Sequence, residues 1–467
     1  MPSPIKRRKD LAGLKVTVMG LGLNGGGLAT ARFFAEQGSF VTVTDMKGEK
    51  ELAESIAALE GLPIRFVLGK HELSDFTSAD LVIKNPAVKP DSPYLRAARA
   101  VESDLSVFLR LSQAPILAIT GSKGKSTVST ALHHALVSGG IQAFLGGNIA
   151  VSPLSFIDKT GPETPVVLEL SSWQLADMRG SSALMPRISL ITSIMPDHMN
   201  RYISMDDYVA DKRLIYADQG PDSFTIVNRD DPWGELFASE TKASVLYYAS
   251  SELGRLPGAW LEGVRGHERG LYAGAFGIEE ILPAELLVPG PHQRKNLLSA
   301  ALAARIYGMD AGTVSKAMAC FRGVEHRLEF FAQKDGVRFY NDSAATIPQA
   351  VAAAIQSFDT PLVLITGGTD KNLDFEPARA AYRRPKAIVL LAGSGTDKLI
   401  ALLESEGIAF RGPFGELEAA VREALKLTEP GSTLILSPGC TSFGMFVNEF
   451  DRGRKFKDCL KRIIGID

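Results

Sequence analysis

Cysteine is scarce in this 467-residue chain, where only Cys320, Cys440 and Cys459 occur, far apart in sequence. So few and so scattered cysteines exclude a disulfide framework and a CxxC-type metal knot, and they suit a reducing compartment. We therefore expect the three thiols to be buried or incidental.

Long apolar runs are also missing. No stretch approaches the roughly 18 apolar residues that a membrane-spanning helix needs. The start, MPSPIKRRKD, is basic like a signal peptide, but the apolar run after it is short and is broken by Gly20 and Gly22. We expect a cytoplasmic protein without a membrane partner.

An excess of one charge is absent as well. The net charge is -2, with 45% hydrophobic and 22% charged residues, which describes an ordinary globular protein. A net charge this small produces no electrostatic field that favours binding to nucleic acid, so any affinity for anions must come from a local group of residues. At roughly 150 residues per domain, the length predicts about three domains.

Three series of short apolar runs alternate with helical patterns, as in parallel sheets with crossover helices. The first contains KVTVMGLG, SFVTVTD and ADLVIK, the second runs from PILAITG to SVLYYAS, and the third contains PLVLITGG, KAIVLLAG and STLILSPG. Brief strands at about 258–289 and a helix over 289–308 follow the second series. We predict an α/β protein with domains at 1–111, 112–324 and 325–467: Rossmann-like, P-loop ATPase-like with a small antiparallel appendage, and Rossmann-like.

A strand running into a Gly-rich turn and then a helix is the strongest local motif. It comprises Gly121, Ser122, Lys123, Gly124, Lys125, Ser126 and Thr127. Such a turn directs backbone N–H groups at phosphate, while Lys125 reaches the terminal phosphates and Ser126 can ligate Mg²⁺. The loop is shorter than the usual phosphate loop, and a plain surface turn is the alternative.

Three further residues have chemistry without a unique interpretation. Glu169 lies near the end of the predicted strand VVLELSS, where a carboxylate can hold Mg²⁺ or form a structural salt bridge. His198 could be a metal ligand or a core histidine, and Lys212 on a predicted helix is most often a solvated lysine. The turn GLGLNGGG, with Asp45 about twenty residues on, also fits the fingerprint of a dinucleotide dehydrogenase.

Several motifs in one order carry a more specific signal than any one of them. They are GLGLNGGG, GSKGKST, GGN, ELSSWQL, DHMNRY, His292 with Gln293 and Asn296, His326 with Arg327, YNDSAAT, GGTDK and LSPGCTSF. Together they resemble the Mur ligase family over nearly the whole chain. Within it, the pattern is similar to the enzymes that join D-glutamate to UDP-N-acetylmuramoyl-L-alanine in peptidoglycan precursor synthesis.

The resemblance implies a reaction and its residues. ATP would phosphorylate a substrate carboxylate, and an amine would then attack the acyl phosphate and expel phosphate. Lys125, His198 and Lys212 would be catalytic, and Lys212 would be carbamylated to serve as an anionic metal ligand beside Ser126, Glu169 and His198. Asn296, Arg327 and Asp342 would bind ATP together with the phosphate loop. The uridine-linked substrate would meet Leu23, Asn24, Asp45, Asn148 and His198.

For D-glutamate, the resemblance implies Thr346, Lys371, Ser442 and Phe443, since a cation and hydroxyls suit an acidic amino acid. Three positions depart from the family pattern: Ala344 replaces a lysine, Asn85-Pro86-Ala87 replaces an SPG-type turn, and Glu449 stands where an aromatic is common. We expect a monomer that uses ATP and Mg²⁺. The alternatives are another Mur or folylpolyglutamate-type ligase and, from another class, an NAD(P)-dependent dehydrogenase.

Overall fold

The computed structural model describes residues 3–22, 25–89, 91–149, 151–274 and 277–466. Within them the chain divides into two compact units. The first comprises Met1–Glu262, Arg269–Leu282 and Asn296–Ala317, and the second comprises Gly263–Glu268, Pro283–Lys295 and Met318–Asp467. In the described part of the chain, no helix combines the length and the apolar character needed to cross a membrane.

The first unit begins with a five-stranded parallel sheet in the order β3-β2-β1-β4-β5. Its strands are β1 (Lys15–Met19), β2 (Phe40–Asp45), β3 (Ile64–Leu68), β4 (Leu81–Lys84) and β5 (Val101–Glu102), and its helices are α1 (Gly26–Glu36), α2 (Glu49–Ala57), α3 (Leu73–Thr77), α4 (Pro93–Ala97) and α5 (Asp104–Leu111). The strand order reverses beside β1. The turn after β1 therefore lies where open α/β sheets bind ligands.

A nine-stranded sheet forms the rest of this unit, in the order β14-β13-β12-β11-β10-β9-β6-β8-β7. Its strands are β6 (Ile116–Thr120), β7 (Phe144–Gly147), β8 (Val166–Glu169), β9 (Ile188–Ile191), β10 (Phe224–Asn228), β11 (Ser244–Ala249), β12 (Gly258–Glu262), β13 (Arg269–Gly274) and β14 (Gly277–Leu282). The helices of this part of the chain are α6 (Lys125–Ser138), α7 (Ser172–Asp177), α8 (Met205–Lys212), α9 (Gly234–Glu240), α10 (Pro291–Tyr307) and α11 (Ala311–Cys320). The predicted antiparallel appendage is present as β12 to β14, and β12 joins the main sheet by pairing parallel to β11.

The second unit contains a six-stranded sheet in the order β15-β16-β20-β17-β18-β19. Its strands are β15 (Glu329–Lys334), β16 (Val337–Asn341), β17 (Leu362–Thr366), β18 (Ala387–Leu391), β19 (Arg411–Phe414) and β20 (Thr433–Leu436), with helices α12 (Pro348–Gln356), α13 (Ser394–Ser405), α14 (Leu417–Lys426) and α15 (Glu449–Ile464). All pairs are parallel except β15 with β16.

The central strands of these sheets are apolar on both faces because helices cover both faces. Strand β6 is buried throughout, as are β17 and β20. Their carboxyl ends are where polar side chains first appear, so each sheet presents its chemistry along one edge.

Two cysteines behave as predicted. Cys440 and Cys459 are buried, whereas Cys320 is exposed, and none of the three forms a disulfide.

Candidate active site

The carboxyl ends of β6, β7 and β8 meet at one edge of the nine-stranded sheet. Register brings Ile119 of β6 opposite Glu169 of β8, and Gly147 of β7 opposite the same glutamate. The segments that follow β6 and β7 carry the predicted phosphate loop and Asn148, and Glu169 is the last residue of β8. Strand β9 also ends beside β6, and the chain after it leads to His198. Four neighbouring strands, β6 to β9, therefore supply one site.

The phosphate loop adopts a backbone that requires glycine at two positions. Gly121 has φ +145° and Gly124, which caps helix α6, has φ +91°. A Cβ on Gly121 would lie 1.8 Å from Oγ1 of Thr192, while that hydroxyl donates to the Lys123 carbonyl at 2.7 Å. Any larger residue would displace the threonine that fixes the loop.

Lys125 opens helix α6 and folds back over the loop. Its Nζ donates to the carbonyls of Gly121 at 2.9 Å and Ser122 at 3.0 Å. Ser126 and Thr127 follow in the first turn of the helix, half-buried. A helix N-terminus with a lysine and two hydroxyls has the donors that phosphate oxygens need.

Glu169 is buried, with 2% of its surface exposed. Its Oε1 accepts from Nδ2 of Asn148 at 3.0 Å, whereas Oε2 has no hydrogen-bond partner. No lysine or arginine of the described chain forms an ion pair with it, although its charge acts on the buried Lys212. A buried carboxylate oxygen without a donor is expensive and suits a cation.

Lys212, at the end of helix α8, is buried rather than solvated, with 2% exposure. Its Nζ donates to the Gly121 carbonyl at 2.7 Å and lies 4.6 Å from the ring centroid of Tyr208. Burial, followed by the charge of Lys125, holds the pKa of Lys212 well below its ordinary value. A lowered pKa makes the neutral amine, which is the nucleophilic form, easier to reach.

His198 lies at the surface and not in the core. Its backbone is left-handed, with φ +56°, and its ring centroid is 5.2 Å from that of Trp173. The guanidinium carbon of Arg201 also lies over the Trp173 ring, 4.3 Å from its centroid. The turn between β9 and α8 thus holds the His198 imidazole against the Trp173 indole.

A cavity of about 340 Å³ collects these predicted residues. Lys125, Asn148, His198 and Lys212 all line it, together with Trp173 and Tyr208. Asn296 on helix α10 lies on the other side of the phosphate loop, where a Cβ on Gly124 would come within 2.5 Å of its Oδ1. The structure therefore brings together the residues predicted for phosphate, metal and the uridine-linked substrate.

The Gly-rich turn of the five-stranded sheet borders a neighbouring cavity of about 200 Å³. Gly20, Lys84 and Asn148 are among its lining residues. Asp45 ends β2 and accepts from the N–H of Gly22 at 3.1 Å. The predicted residues Leu23 and Asn24 lie outside the described residues.

Three loops at the carboxyl edge of the six-stranded sheet hold the residues predicted for D-glutamate. They follow β16, β17 and β20 and carry Thr346, Lys371, and Ser442 with Phe443, respectively. Backbone bonds join them: Gly439 donates to Ala345 at 2.8 Å, and Thr369 and Thr441 exchange bonds of 3.1 Å. Ser442 is buried, whereas Lys371 and Phe443 are exposed.

Asp342 follows β16 in the same unit and is buried. Its Oδ1 accepts from the N–H of Leu328 at 3.1 Å and its Oδ2 from the Ser437 hydroxyl at 2.7 Å. Burial raises the pKa of Asp342 to about 7, partly offset by these bonds and by the nearby Arg327. Arg327 itself is exposed.

Three residues of the site escaped the sequence analysis, and all of them hold the phosphate loop. Thr120 and Thr192 position its backbone, and the Tyr208 hydroxyl lies 3.0 Å from the Ser122 hydroxyl. Burial raises the pKa of Tyr208 to about 12, so it stays a neutral donor. The sequence gives one indication for the two threonines, which is that each ends or follows a buried strand at the edge where α/β sheets bind ligands.

Donors for a magnesium ion are present here without a preformed cluster. Among the residues that the structure describes, no three His, Cys, Asp or Glu side chains converge. The unbonded Oε2 of Glu169 and the hydroxyl of Ser126 are hard oxygen donors at the phosphate edge, which fits an ion that keeps several waters and binds through phosphate.

Three family models match consecutive parts of the chain. Residues 14–106 match the Mur ligase MurD-like N-terminal domain, residues 119–304 the Mur ligase middle domain, and residues 326–440 the Mur ligase glutamate ligase domain.

Full-length relatives are similar over nearly all of the chain. A UDP-N-acetylmuramoylalanine--D-glutamate ligase of Treponema pallidum (strain Nichols) is 40% identical over 98% of this chain and 99% of its own. One of Roseiflexus sp. (strain RS-1) is 41% identical over 96% and 98%.

Solved structures share the fold. UDP-N-acetylmuramate-alanine ligase MurC from Thermotoga maritima matches with TM-score 0.59 at 21% identity, covering 97% of this chain and 99% of that one. MurF from Acinetobacter baumannii matches with TM-score 0.59 at 16% identity, over 96% and 94%. At these identities the likeness concerns the three-domain α/β architecture alone.

Proposed function

The chain belongs to the Mur ligase family, and from this premise we propose that it joins D-glutamate to UDP-N-acetylmuramoyl-L-alanine at the expense of ATP. The near full-length identity of about 40% to ligases of that name carries the proposal. The phosphate loop, the unbonded oxygen of Glu169 and the buried amine of Lys212 at one sheet edge support it chemically.

The reaction has two bond exchanges. A carboxylate oxygen of the alanyl group attacks the γ-phosphorus of ATP, ADP leaves, and an acyl phosphate forms. The amine of D-glutamate then attacks the acyl carbon, and the tetrahedral intermediate expels phosphate and a proton. Both steps require anions to approach one another, so the site must supply positive charge.

Lys125 supplies part of that charge. Its Nζ bonds two loop carbonyls, and it exchanges them for phosphate oxygens when the nucleotide binds. The N–H groups at the start of α6 complete the cradle. Mg²⁺, held by Ser126 and Glu169, would neutralise further phosphate charge.

Lys212 serves as a source of negative charge for the metal site. Its neutral amine attacks CO₂, loses a proton and becomes a carbamate, which is an anionic oxygen ligand. His198 and Asn148 line the same cavity and bind the uridine-linked substrate. In the second unit, Arg327 and Asp342 bind ATP, and Thr346, Lys371, Ser442 and Phe443 bind D-glutamate.

An amino-acid panel tests the function. Phosphate release is measured with ATP, Mg²⁺ and UDP-N-acetylmuramoyl-L-alanine, adding D-glutamate, L-alanine or a diamino acid in turn. We expect turnover with D-glutamate alone. Release with L-alanine or the diamino acid in its place would overturn the assignment, and NAD(P) binding that changes tryptophan fluorescence would favour the dehydrogenase.

The carbamate is tested separately. Lys212→Ala should lose turnover, and added acetate should restore part of it by standing in for the carbamate oxygens. An unimpaired alanine variant would remove Lys212 from the mechanism. Cytoplasmic location and a monomeric state stay predictions from the sequence.

A further inference from the structure

Arg452 is a buried cation without a carboxylate partner. It lies on helix α15 with 1% of its surface exposed. No carboxylate of the described residues forms an ion pair with it, and its hydrogen bonds go to neutral oxygens. Burial lowers the pKa of Arg452 to about 10, so the guanidinium stays charged at neutral pH. A buried, unpaired charge is costly and calls for a specific reason.

The guanidinium bridges two of the three loops at the carboxyl edge of the sheet. Its Nε donates to the Ser343 hydroxyl at 3.0 Å and Nη2 to the Ser343 carbonyl at 2.8 Å. Its Nη1 donates to the Cys440 carbonyl at 3.1 Å. The loop after β16 and the loop after β20 are therefore held at a fixed separation by one rigid planar group.

The third loop passes close to the same group. A Cβ on Gly368 would lie 3.7 Å from Nη1 of Arg452. Ser343 in turn donates its hydroxyl to the Glu449 carbonyl at 2.7 Å, which ties the loop after β16 to the start of α15. All three loops thus meet at Arg452, and they are the loops that carry Thr346, Lys371, Ser442 and Phe443.

We propose that Arg452 is a positioning residue for the amino-acid substrate, setting the spacing of the three loops and adding positive charge behind a site for a dicarboxylic amino acid. The proposal rests on the proposed function. It also accounts for a cation that the fold buries without an ion pair, with only the more distant charge of Glu449 beside it: the substrate carboxylates are the anions it acts on.

The test compares Arg452→Met, Arg452→Lys and a control, Arg454→Met, an exposed arginine two residues along the same helix. For each protein, kcat and the KM values for D-glutamate, ATP and UDP-N-acetylmuramoyl-L-alanine are measured, with thermal unfolding as a check on folding. We expect Arg452→Met to raise the KM for D-glutamate about tenfold or more, as when a charged hydrogen-bonding group is lost. The other two KM values should stay within about twofold, and Arg454→Met should match wild type.

Lysine at position 452 separates the two contributions. It keeps the charge but lacks the planar fork that makes the three bonds to Ser343 and Cys440, so we expect an intermediate KM for D-glutamate and faster amide hydrogen exchange in residues 343–346 and 440–443. An unchanged KM for D-glutamate in a folded Arg452→Met protein, or an equal rise in all three KM values, would overturn the proposal. If Arg452→Met does not fold, the same outcomes are read from Arg452→Lys.

The two hypotheses fail differently. Wild-type protein that turns over an amino acid other than D-glutamate contradicts the proposed function, and the KM for the amino acid it accepts then reports on Arg452. Wild-type protein that uses D-glutamate, with variants of unchanged KM, contradicts the positioning role alone.

Discussion

Glu169 has one carboxylate oxygen bonded to Asn148 and one without a donor. Glutamine at this position keeps an oxygen for Asn148 but removes the charge. We expect Glu169→Gln to stay folded and to lower Mg²⁺ affinity or activity by about 10- to 100-fold, the usual cost of disturbing a metal's surroundings. Activity measured against Mg²⁺ concentration checks this, with exposed Glu235→Gln as the control. A Mg²⁺ dependence like that of wild type would contradict it.

The ATP binding proposed for Asp342 should be sensitive to pH. Its pKa is raised to about 7, so the carboxylate is protonated below pH 7 and ionised above it. The ionised carboxylate only accepts hydrogen bonds, whereas the protonated acid turns one acceptor oxygen into a donor and would oppose donor groups of ATP. We therefore expect the KM for ATP to rise as the pH falls from 8 to 6. Asp342→Asn should have a high KM at every pH, and a wild-type KM that is flat over this range would refute the assignment.

At the scale of single residues, the sequence located a site residue when a reactive side chain stands at or just after the end of a predicted strand. Lys125 and Glu169 end up at the ligand edge because each follows a strand that the apolar pattern predicts. Lys212 could not be located in this way, since a lysine on a short helix is usually exposed and nothing nearby marks burial. Its role followed from the family resemblance. Arg452 gave no signal at all, because its partners are the Ser343 hydroxyl and two backbone carbonyls, all more than ten residues away.

At the scale of elements, the phosphate loop tolerates no side chain at Gly121. We expect Gly121→Ala to lose ATP-dependent turnover, because its Cβ would lie 1.8 Å from Oγ1 of Thr192. Gly140→Ala is the matched control. It follows the same helix with φ +82° and open space around it, so it should cost about 1 kcal/mol of stability, and turnover should be kept. Equal activity of both variants would contradict the role of the loop backbone.

The strands that the sequence analysis recognised are those rich in branched apolar residues. It missed β7, whose Gly146 and Gly147 hide the pattern, and β19, which contains Pro413. The pair β15 and β16 was also missed, although β16 leads to Asp342. Glycine at Gly147 has a reason that sequence cannot reveal: a Cβ there would lie 2.2 Å from the Glu169 carbonyl.

At the scale of the whole molecule, a buried ion pair joins the two sheets of the first unit. Lys84 of β4 lies 2.8 Å from Asp177 of α7, and both side chains are less than one-tenth exposed. We expect Lys84→Met to lower the free energy of unfolding by about 3–5 kcal/mol, because Asp177 is left buried and unpaired. Urea unfolding measures this. Lys70→Met, which removes an exposed pair with Glu72, should leave the midpoint unchanged. If the urea midpoint of Lys84→Met equals that of wild type, the ion pair does not stabilise the packing of the two sheets.

The three-domain α/β architecture was predictable because alternating strands and helices leave few arrangements. The exact attachment of the small antiparallel strands was not. Whether β12 starts a separate sheet or extends the large one depends on pairing with β11, and short Gly-flanked strands do not specify a neighbour.

The Gly121 carbonyl accepts from the Nζ of Lys125 at 2.9 Å and from the Nζ of Lys212 at 2.7 Å. One oxygen therefore links the lysine proposed to bind phosphate to the lysine proposed to react as a neutral amine. Removing the charge at position 125 would make the amine at 212 easier to protonate and slower to capture CO₂. The loss of turnover in a Lys125 variant would then contain a contribution from Lys212. The turnover that added acetate restores would measure that contribution.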